Sequence, residues 1–142
     1  MKTIREINLN IKNEPGQLSA ISEILGANGI NILAFYVSAS GKAGNLRFVA
    51  NDPDRALNVL KPAGFKTNVS EAIACVVPHH PGGLNAVLKP LKAAKINVDF
   101  IYPCIGSGDS TILILGVKSL EDTLKIMEDN WIKVLGEELY NI

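Results

Sequence analysis

The sequence predicts an α+β fold made of two repeated βαββαβ units, and three observations support this prediction. The first is an internal repeat, since a displacement of 66 positions places Pro15-Gly16 on Pro81-Gly82 and Ile30-Asn31 on Ile96-Asn97. The second is the alternation of apolar and polar residues in the segments expected to be strands. The third is the helical spacing of apolar residues in the segments between them.

The first half, residues 1–70, is predicted to contain four strands and two helices. Its first strand alternates, since Ile7, Leu9 and Ile11 fall on one face of an extended chain. The Pro and Gly of the next four residues then stop that strand. The predicted elements are a strand at 3–12, a helix that ends at Asn28-Gly29, strands at 30–39 and 45–50, a helix from 51–53 to about Gly64, and a strand at 65–70.

The second half, residues 71–142, repeats this order. Its predicted strands are at 72–78, 96–104, 110–117 and 131–135, and its predicted helices are at 82–94 and 119–129. This is the order of a ferredoxin-like unit. A unit of about 70 residues has a marginal core of its own, so the two are expected to pack closely. The alternative is that two unrelated α/β segments share a Pro-Gly turn.

Composition and charge exclude several classes of protein. The 142 residues include 14 basic and 14 acidic side chains, whereas a nucleic-acid binder usually carries a basic excess. No apolar run approaches the roughly 18 residues of a membrane span. Apolar and polar residues alternate at the N-terminus, so it lacks the continuous apolar segment of a secretory signal. Two cysteines, Cys75 and Cys104, are too few for a disulfide framework and lack metal-ligand spacing. A soluble cytoplasmic protein is therefore expected.

Two strands of the second half are apolar on both faces. These are Ala72 to Val77 and Thr111 to Val117, and continuous apolar strands indicate that both faces are covered. Because helices cover only one face of a ferredoxin-like sheet, we expect the other face to be buried in a homodimer. The alternative is an ordinary core with some exposed Leu and Ile.

No catalytic constellation is apparent. An RNA-binding sheet would need stacking aromatics, and the central strands offer only Phe48. The first loop of each half has neither a cysteine pair nor an arginine. His79 and His80 are adjacent and have no evident carboxylate partner. The sequence therefore predicts a protein that is not an enzyme and that has no metal or cofactor.

The two Pro-Gly turns are the candidate sites. In each half a strand ends, Pro-Gly follows and a helix begins, so backbone N–H groups without helical partners face the turn. These groups and the helix dipole suit an anion such as a carboxylate. Gly16, Gly82 and Gly83 would let a ligand approach the backbone closely. The alternative is that each turn only connects a strand to a helix.

The chain resembles a tandem pair of ACT domains, the small-molecule sensing modules of amino-acid metabolism. The stretch NEPGQLSAISEILGANGINILAF resembles the first loop, helix and second strand of one domain, and HHPGGLNAVLKPLKAAKINVDFIY resembles a more divergent copy. The resemblance covers the whole chain, as domains at 1–70 and 71–142. The first copy is especially similar to the regulatory subunit of acetolactate synthase.

This resemblance implies one continuous eight-stranded antiparallel sheet with helices on one face, and amino-acid effectors bound between units. The second copy departs from the pattern, because His79 replaces Asn13. Asp99, just beyond Asn97, is our own addition as a group that could meet a ligand ammonium. The ligand-binding positions implied by motif match are Asn13, Pro15, Gly16, Gln17, Leu18 and Asn31 in the first copy, and His79, Pro81, Gly82, Gly83, Leu84 and Asn97 in the second.

The sequence thus favours a stand-alone tandem ACT protein that binds a small effector, most simply an amino acid, and acts as a regulator. An alternative is a regulatory subunit of a separate amino-acid biosynthetic enzyme such as acetolactate synthase. In that case the apolar sheet face would meet the enzyme and not a second copy of the chain. The third hypothesis is that the chain is itself a small enzyme.

Overall fold

The computed structural model describes residues 1–106 and 108–142, and these contain four α-helices and seven β-strands. The chain divides into a first unit, Arg5–Ser70, and a second unit, Glu71–Ile142 together with Met1–Ile4. A short 3₁₀ helix that was not predicted follows the last strand. The elements are β1 Ile4–Lys12, α1 Gln17–Ala27, β2 Ile32–Ser40, β3 Ala43–Ala50, α2 Pro53–Leu60, β4 Thr67–Pro78, α3 Asn85–Ala93, β5 Phe100–Pro103, β6 Ser110–Gly116, α4 Leu120–Asp129, β7 Val134–Leu135 and the 3₁₀ helix Glu137–Asn141.

The predicted α+β class is confirmed, but the described residues form seven strands and not the expected eight. The strands predicted at 65–70 and 72–78 form one continuous strand, β4. No glycine or proline occurs between Thr67 and Val77, so nothing in the backbone interrupts the extended conformation there. The boundary between the two units therefore falls inside a strand and not in a loop.

The first unit has its helices on one face of its strands. β3 is antiparallel to both β1 and β2, so β1 and β2 run in the same direction. The alternation in β1 is confirmed, because the three residues predicted to face the core are buried. They pack with residues of α1 and α2 in one apolar cluster: Ile7, Leu9, Ile11, Ile21, Leu25, Ile30, Leu46, Phe48, Ala50, Ala56 and Leu60.

The second unit is built in the same way. β6 is antiparallel to β4 and β5, and β7 pairs with β4. The strand predicted at 96–104 is shorter, because Ile96 and Val98 pack against the core before the pairing of β5 begins. The last strand has only two residues. The hydrophobic core of this unit contains residues of both its strands and its helices: Ile73, Cys75, Val77, Val87, Leu91, Leu113, Leu115 and Met127.

The apolar strands of the second unit are buried on both faces in a single copy of the chain. Ala72 and Ala74 of β4 have no exposed surface, and neither does Ile114 of β6. Covering these residues does not require a second copy. The apolar character of these strands therefore no longer argues for the homodimer that we expected through this sheet face.

Lys95 adopts a left-handed backbone conformation, with φ of 58°, at the end of α3. The matching residue after α1 is Gly29, with φ of 70°. A side chain in this region costs about 1–2 kcal/mol, whereas glycine enters it freely. We expect Lys95→Gly to raise the free energy of unfolding by about 0.5–1 kcal/mol in urea denaturation. The control, Lys92→Gly inside α3, should lower it by about 1 kcal/mol, and a loss of stability in both variants would contradict the prediction.

Candidate functional site

The loop that joins β1 to α1 in the first unit is held in place by hydrogen bonds of its own side chains. The Nδ2 group of Asn13 donates to the carbonyl oxygen of Gly41 at 2.8 Å, and the backbone N–H of Asn13 donates to Lys42 at 2.9 Å. The Oε1 atom of Gln17 accepts from the backbone N–H of Lys12 at 3.0 Å. Asn13 and Gln17 thus fix the shape of the loop.

The start of α1 is suited to an anion. Gly16 has φ of 86° and accepts the first helical hydrogen bond, from Ala20. Among the described residues no side chain caps this helix, and its first turn contains no acidic residue. Leu18 is 44% exposed beside the turn. The N-terminus of this 11-residue helix therefore presents uncapped N–H groups and positive potential to solvent.

Asn31 lies at the other end of the first unit from this loop. β1 and β2 run in the same direction, so the end of β1 is near Ser40, whereas Asn31 precedes the start of β2. A nine-residue strand spans roughly 30 Å. The backbone N–H of Asn31 donates to Oδ1 of Asn51, and the backbone N–H of Asn51 donates to Asn31. Within one unit the predicted loop and Asn31 are therefore not brought together.

The loop of the second unit has a different construction. The Nδ1 atom of His79 is 3.4 Å from the hydroxyl of Thr111, and Nδ1 of His80 is 2.8 Å from the carbonyl oxygen of Pro81. Gly82 has φ of 84°, like its counterpart in the first unit. Among the described residues, no group of three His, Cys, Asp or Glu side chains is placed to hold a metal ion.

The helix after this loop begins later than predicted, at Asn85 and not at 82, because the residues before it form a turn. Leu84 is 49% exposed at the helix start. Gly83 is buried, and a Cβ atom there would lie 2.0 Å from the carbonyl oxygen of Pro78. Packing of the turn is therefore sufficient to explain the absence of a side chain at Gly83.

Asn97 and Asp99 lie at the opposite end of the second unit from the His79 loop, because β4 and β5 run in the same direction. The Nδ2 group of Asn97 donates to Oδ1 of Asp99 at 3.1 Å. Both residues line a cleft of about 270 Å³ whose other polar lining residues are Lys95, Lys118, Ser119 and Asp122. Of this group, only Asn97 and Asp99 were predicted from the sequence as ligand-binding residues.

This cleft presents charges of both signs, from Lys118 and from the carboxylates of Asp99 and Asp122. Such a mixture can accommodate a small zwitterion. That Lys118 and Ser119 reach the cleft could be known only from the folded chain.

Both thiols are buried, and burial raises the pKa of Cys75 to about 12 and that of Cys104 to about 11. Since the thiolate is the reactive species, we expect negligible labelling by a disulfide reagent at pH 8 in the native protein. Both cysteines should react once the chain is unfolded in urea. A control variant, Ser40→Cys on an exposed residue, should react at once. Rapid labelling of the native wild-type protein would contradict this prediction.

Each unit thus carries the elements of a ferredoxin-like fold and a glycine turn at a helix start. The chain belongs to the family of ACT domain pairs, which it matches over residues 2–141. This family is regulatory and not catalytic. No described helix is long and apolar enough to cross a membrane.

Solved structures share this fold across nearly the whole chain. Protein BT0572 from Bacteroides thetaiotaomicron is 22% identical, with a TM-score of 0.92 and coverage of 99% of this chain and 98% of that one. The regulatory subunit of aspartate kinase from Thermus thermophilus is 15% identical, with a TM-score of 0.66 and coverage of 92% and 94%. The corresponding subunit from Thermus flavus is 15% identical, with a TM-score of 0.58 and the same coverage. No curated protein sequence matches the chain.

Proposed function

We propose that the chain is a non-catalytic regulator that binds a free amino acid. The observation that carries this proposal is the uncapped start of α1, which follows a glycine turn held in place by Asn13 and Gln17. Membership in a regulatory family supports it. Such a protein acts by differential affinity, because the effector shifts the equilibrium toward the arrangement that it binds more tightly.

The chemistry of the proposed site follows from the groups at the loop. The N–H groups at the start of α1 would hold the carboxylate of the effector. Its ammonium needs acceptors, and within one unit the side-chain oxygen of Asn31 cannot supply one, because Asn31 lies at the opposite end of the unit from the loop. In the second unit Asn97 and Asp99 likewise lie at the opposite end from the His79 loop, and they share one hydrogen bond. The side chain of Asn13 is already engaged with Gly41, so we assign it to shaping the loop and not to binding the ammonium.

Thermal denaturation against each common amino acid at millimolar concentration tests the proposal. A ligand that binds only the folded chain at a hundred times its dissociation constant adds roughly 3 kcal/mol of stability. We expect one or two amino acids to raise the melting temperature of the wild-type protein. The matched variants Gly16→Val and Gly82→Val then tell which loop is used, because both glycines have positive φ and open space around them. No shift with any amino acid would overturn the proposal.

A second candidate function is regulation of a separate enzyme, and Trp131 favours it. This is the only tryptophan of the chain, and it is 95% exposed at the end of α4. Tryptophan is enriched at the centres of protein interfaces. We expect its fluorescence to shift to shorter wavelength when the catalytic subunit of acetolactate synthase or of aspartate kinase is added. Unchanged emission with both enzymes would count against these two partners.

A further inference from the structure

Trp131 occupies a backbone position that favours glycine. It follows α4 with φ of 59°, and its N–H donates to the carbonyl oxygen of Glu128 at 3.2 Å. The matching position after α2 is Gly64, which has φ of 93° and donates in the same way to Lys61 at 3.0 Å. A side chain in this conformation costs free energy that glycine does not. Because the indole is almost fully exposed, contacts within the chain do little to offset that cost.

A groove of about 580 Å³ lies beside Trp131, between α4 and the residues that follow it. Its apolar lining includes Leu124 and, next to Trp131 in the chain, Ile132. All of its lining residues belong to the second unit. The groove and Trp131, which we call the Trp131 groove, together form one surface that is partly apolar and open to solvent.

This surface is acidic although the chain as a whole has no net charge. α4 carries four acidic side chains and one basic side chain, whereas the matching helix α2 carries one of each. Glu121 and Glu128 line the groove, and their spacing places them with Leu124 on one face of α4. Both lysines of the groove already have an acidic partner outside its lining. Among the described residues, no basic side chain pairs with Glu121 or Glu128.

We propose that the Trp131 groove binds a positively charged segment of another protein, one that also carries a large apolar side chain. That side chain would pack on Leu124 and Ile132, and basic groups of the segment would pair with the unpaired carboxylates of α4. A lysine or arginine can also lie on the face of an indole. Two copies of the chain that met here about a two-fold axis would instead bring two acidic helices together. The inference rests on the second candidate function and names the chemistry of the partner.

The emission of Trp131 tests the groove directly, because the chain has no other tryptophan. The probe is a short synthetic peptide of leucine and lysine with its leucines at helical spacing, compared with the same peptide carrying glutamate in place of lysine. We expect the lysine peptide to shift the emission to shorter wavelength in a saturable way, less strongly at high salt, and the glutamate peptide to have no effect. No shift with the lysine peptide, or equal shifts with both, would overturn the proposal. An emission that changes when the chain alone is diluted would assign the groove to a second copy and overturn it as well.

Trp131→Gly separates binding from folding. We expect a higher melting temperature, because glycine fits the backbone conformation, and a roughly tenfold or greater loss of affinity for the fluorescein-labelled lysine peptide, measured by anisotropy. The matched control is Lys95→Gly, which makes the same kind of backbone change after α3 and should keep the affinity of the wild type. A Trp131→Gly chain that binds the peptide as tightly as the wild type would contradict the role of the indole.

A second pair of variants tests the charge. Glu128→Lys should weaken the binding of the lysine peptide, whereas Glu23→Lys, an identical change at an exposed residue of α1 in the first unit, should not. Equal weakening by both would show that the peptide responds only to total charge, and the proposal would fail. Neither acetolactate synthase nor aspartate kinase takes part in these measurements, so their outcome is separate from that of the enzyme titrations.

Discussion

Replacing Gly83 with alanine is expected to destabilise the chain by about 3 kcal/mol, because the interior cannot accept the added atom without a backbone shift. The new Cβ would lie 2.0 Å from the carbonyl oxygen of Pro78 and 3.1 Å from that of His80. Both atoms belong to the main chain, which cannot turn aside as a flexible side chain can. Urea denaturation of the purified variant measures the loss.

The matched control for Gly83 is Gly26, which lies inside α1 with open space where a Cβ atom would be. Alanine in a helix interior is favoured over glycine by about 0.5–1 kcal/mol, so Gly26→Ala should stabilise the chain. The two substitutions thus have opposite expected signs. If Gly83→Ala left stability unchanged, the turn geometry and the packing role of Gly83 would both be wrong.

Removal of the Arg47 side chain is expected to cost about 3 kcal/mol, because it leaves a carboxylate inside the protein without its main cation. Glu6 has no exposed surface, and its Oε1 atom accepts from Nη1 of Arg47 at 2.7 Å. The hydroxyl of Ser70 donates to the same oxygen at 3.3 Å. The measurement is the free energy of unfolding of Arg47→Met at neutral pH.

Two further variants separate the pair from its surroundings. In a Glu6→Gln background the Arg47→Met change should cost clearly less, because no buried charge remains. Arg5→Met removes the cation of another pair with Asp54 at 2.7 Å, but that pair is exposed and screened by solvent, so its loss should cost far less than the loss of the buried pair. Equal losses for Arg5→Met and Arg47→Met would show that burial of Glu6 is not the cause.

Local patterns were sufficient to predict the helices and the buried face of β1. Ile7, Leu9 and Ile11 are all buried, because a strand with one covered face requires such alternation. The fusion of two expected strands into β4 was missed, since continuity of a strand depends on its pairing partners along its length. Burial of Glu6 was missed for a related reason, because it depends on Arg47, which lies 41 residues away in sequence.

The candidate site was predicted in part. The positive φ angles of Gly16 and Gly82 agree with the turns expected from Pro-Gly. The separation of Asn31 from its loop was implicit in the βαββαβ order, since a crossover helix joins two strands that run in the same direction. The cleft beside Asn97 includes residues such as Lys118 that no local motif identifies, because they converge only after β6 and α4 have packed.

The position of the unit boundary has a consequence for the history and the engineering of the gene. A cut between Ser70 and Glu71 would sever β4 in its middle, and Met1–Ile4 would remain with the wrong fragment. The first half of the coding sequence therefore contains the whole first unit, Arg5–Ser70, whereas the second half lacks the Met1–Ile4 segment of its own unit. The repeat visible in the sequence is therefore asymmetric in the structure: exchanging the two halves of the gene would separate the second unit from the four residues that the first half encodes for it.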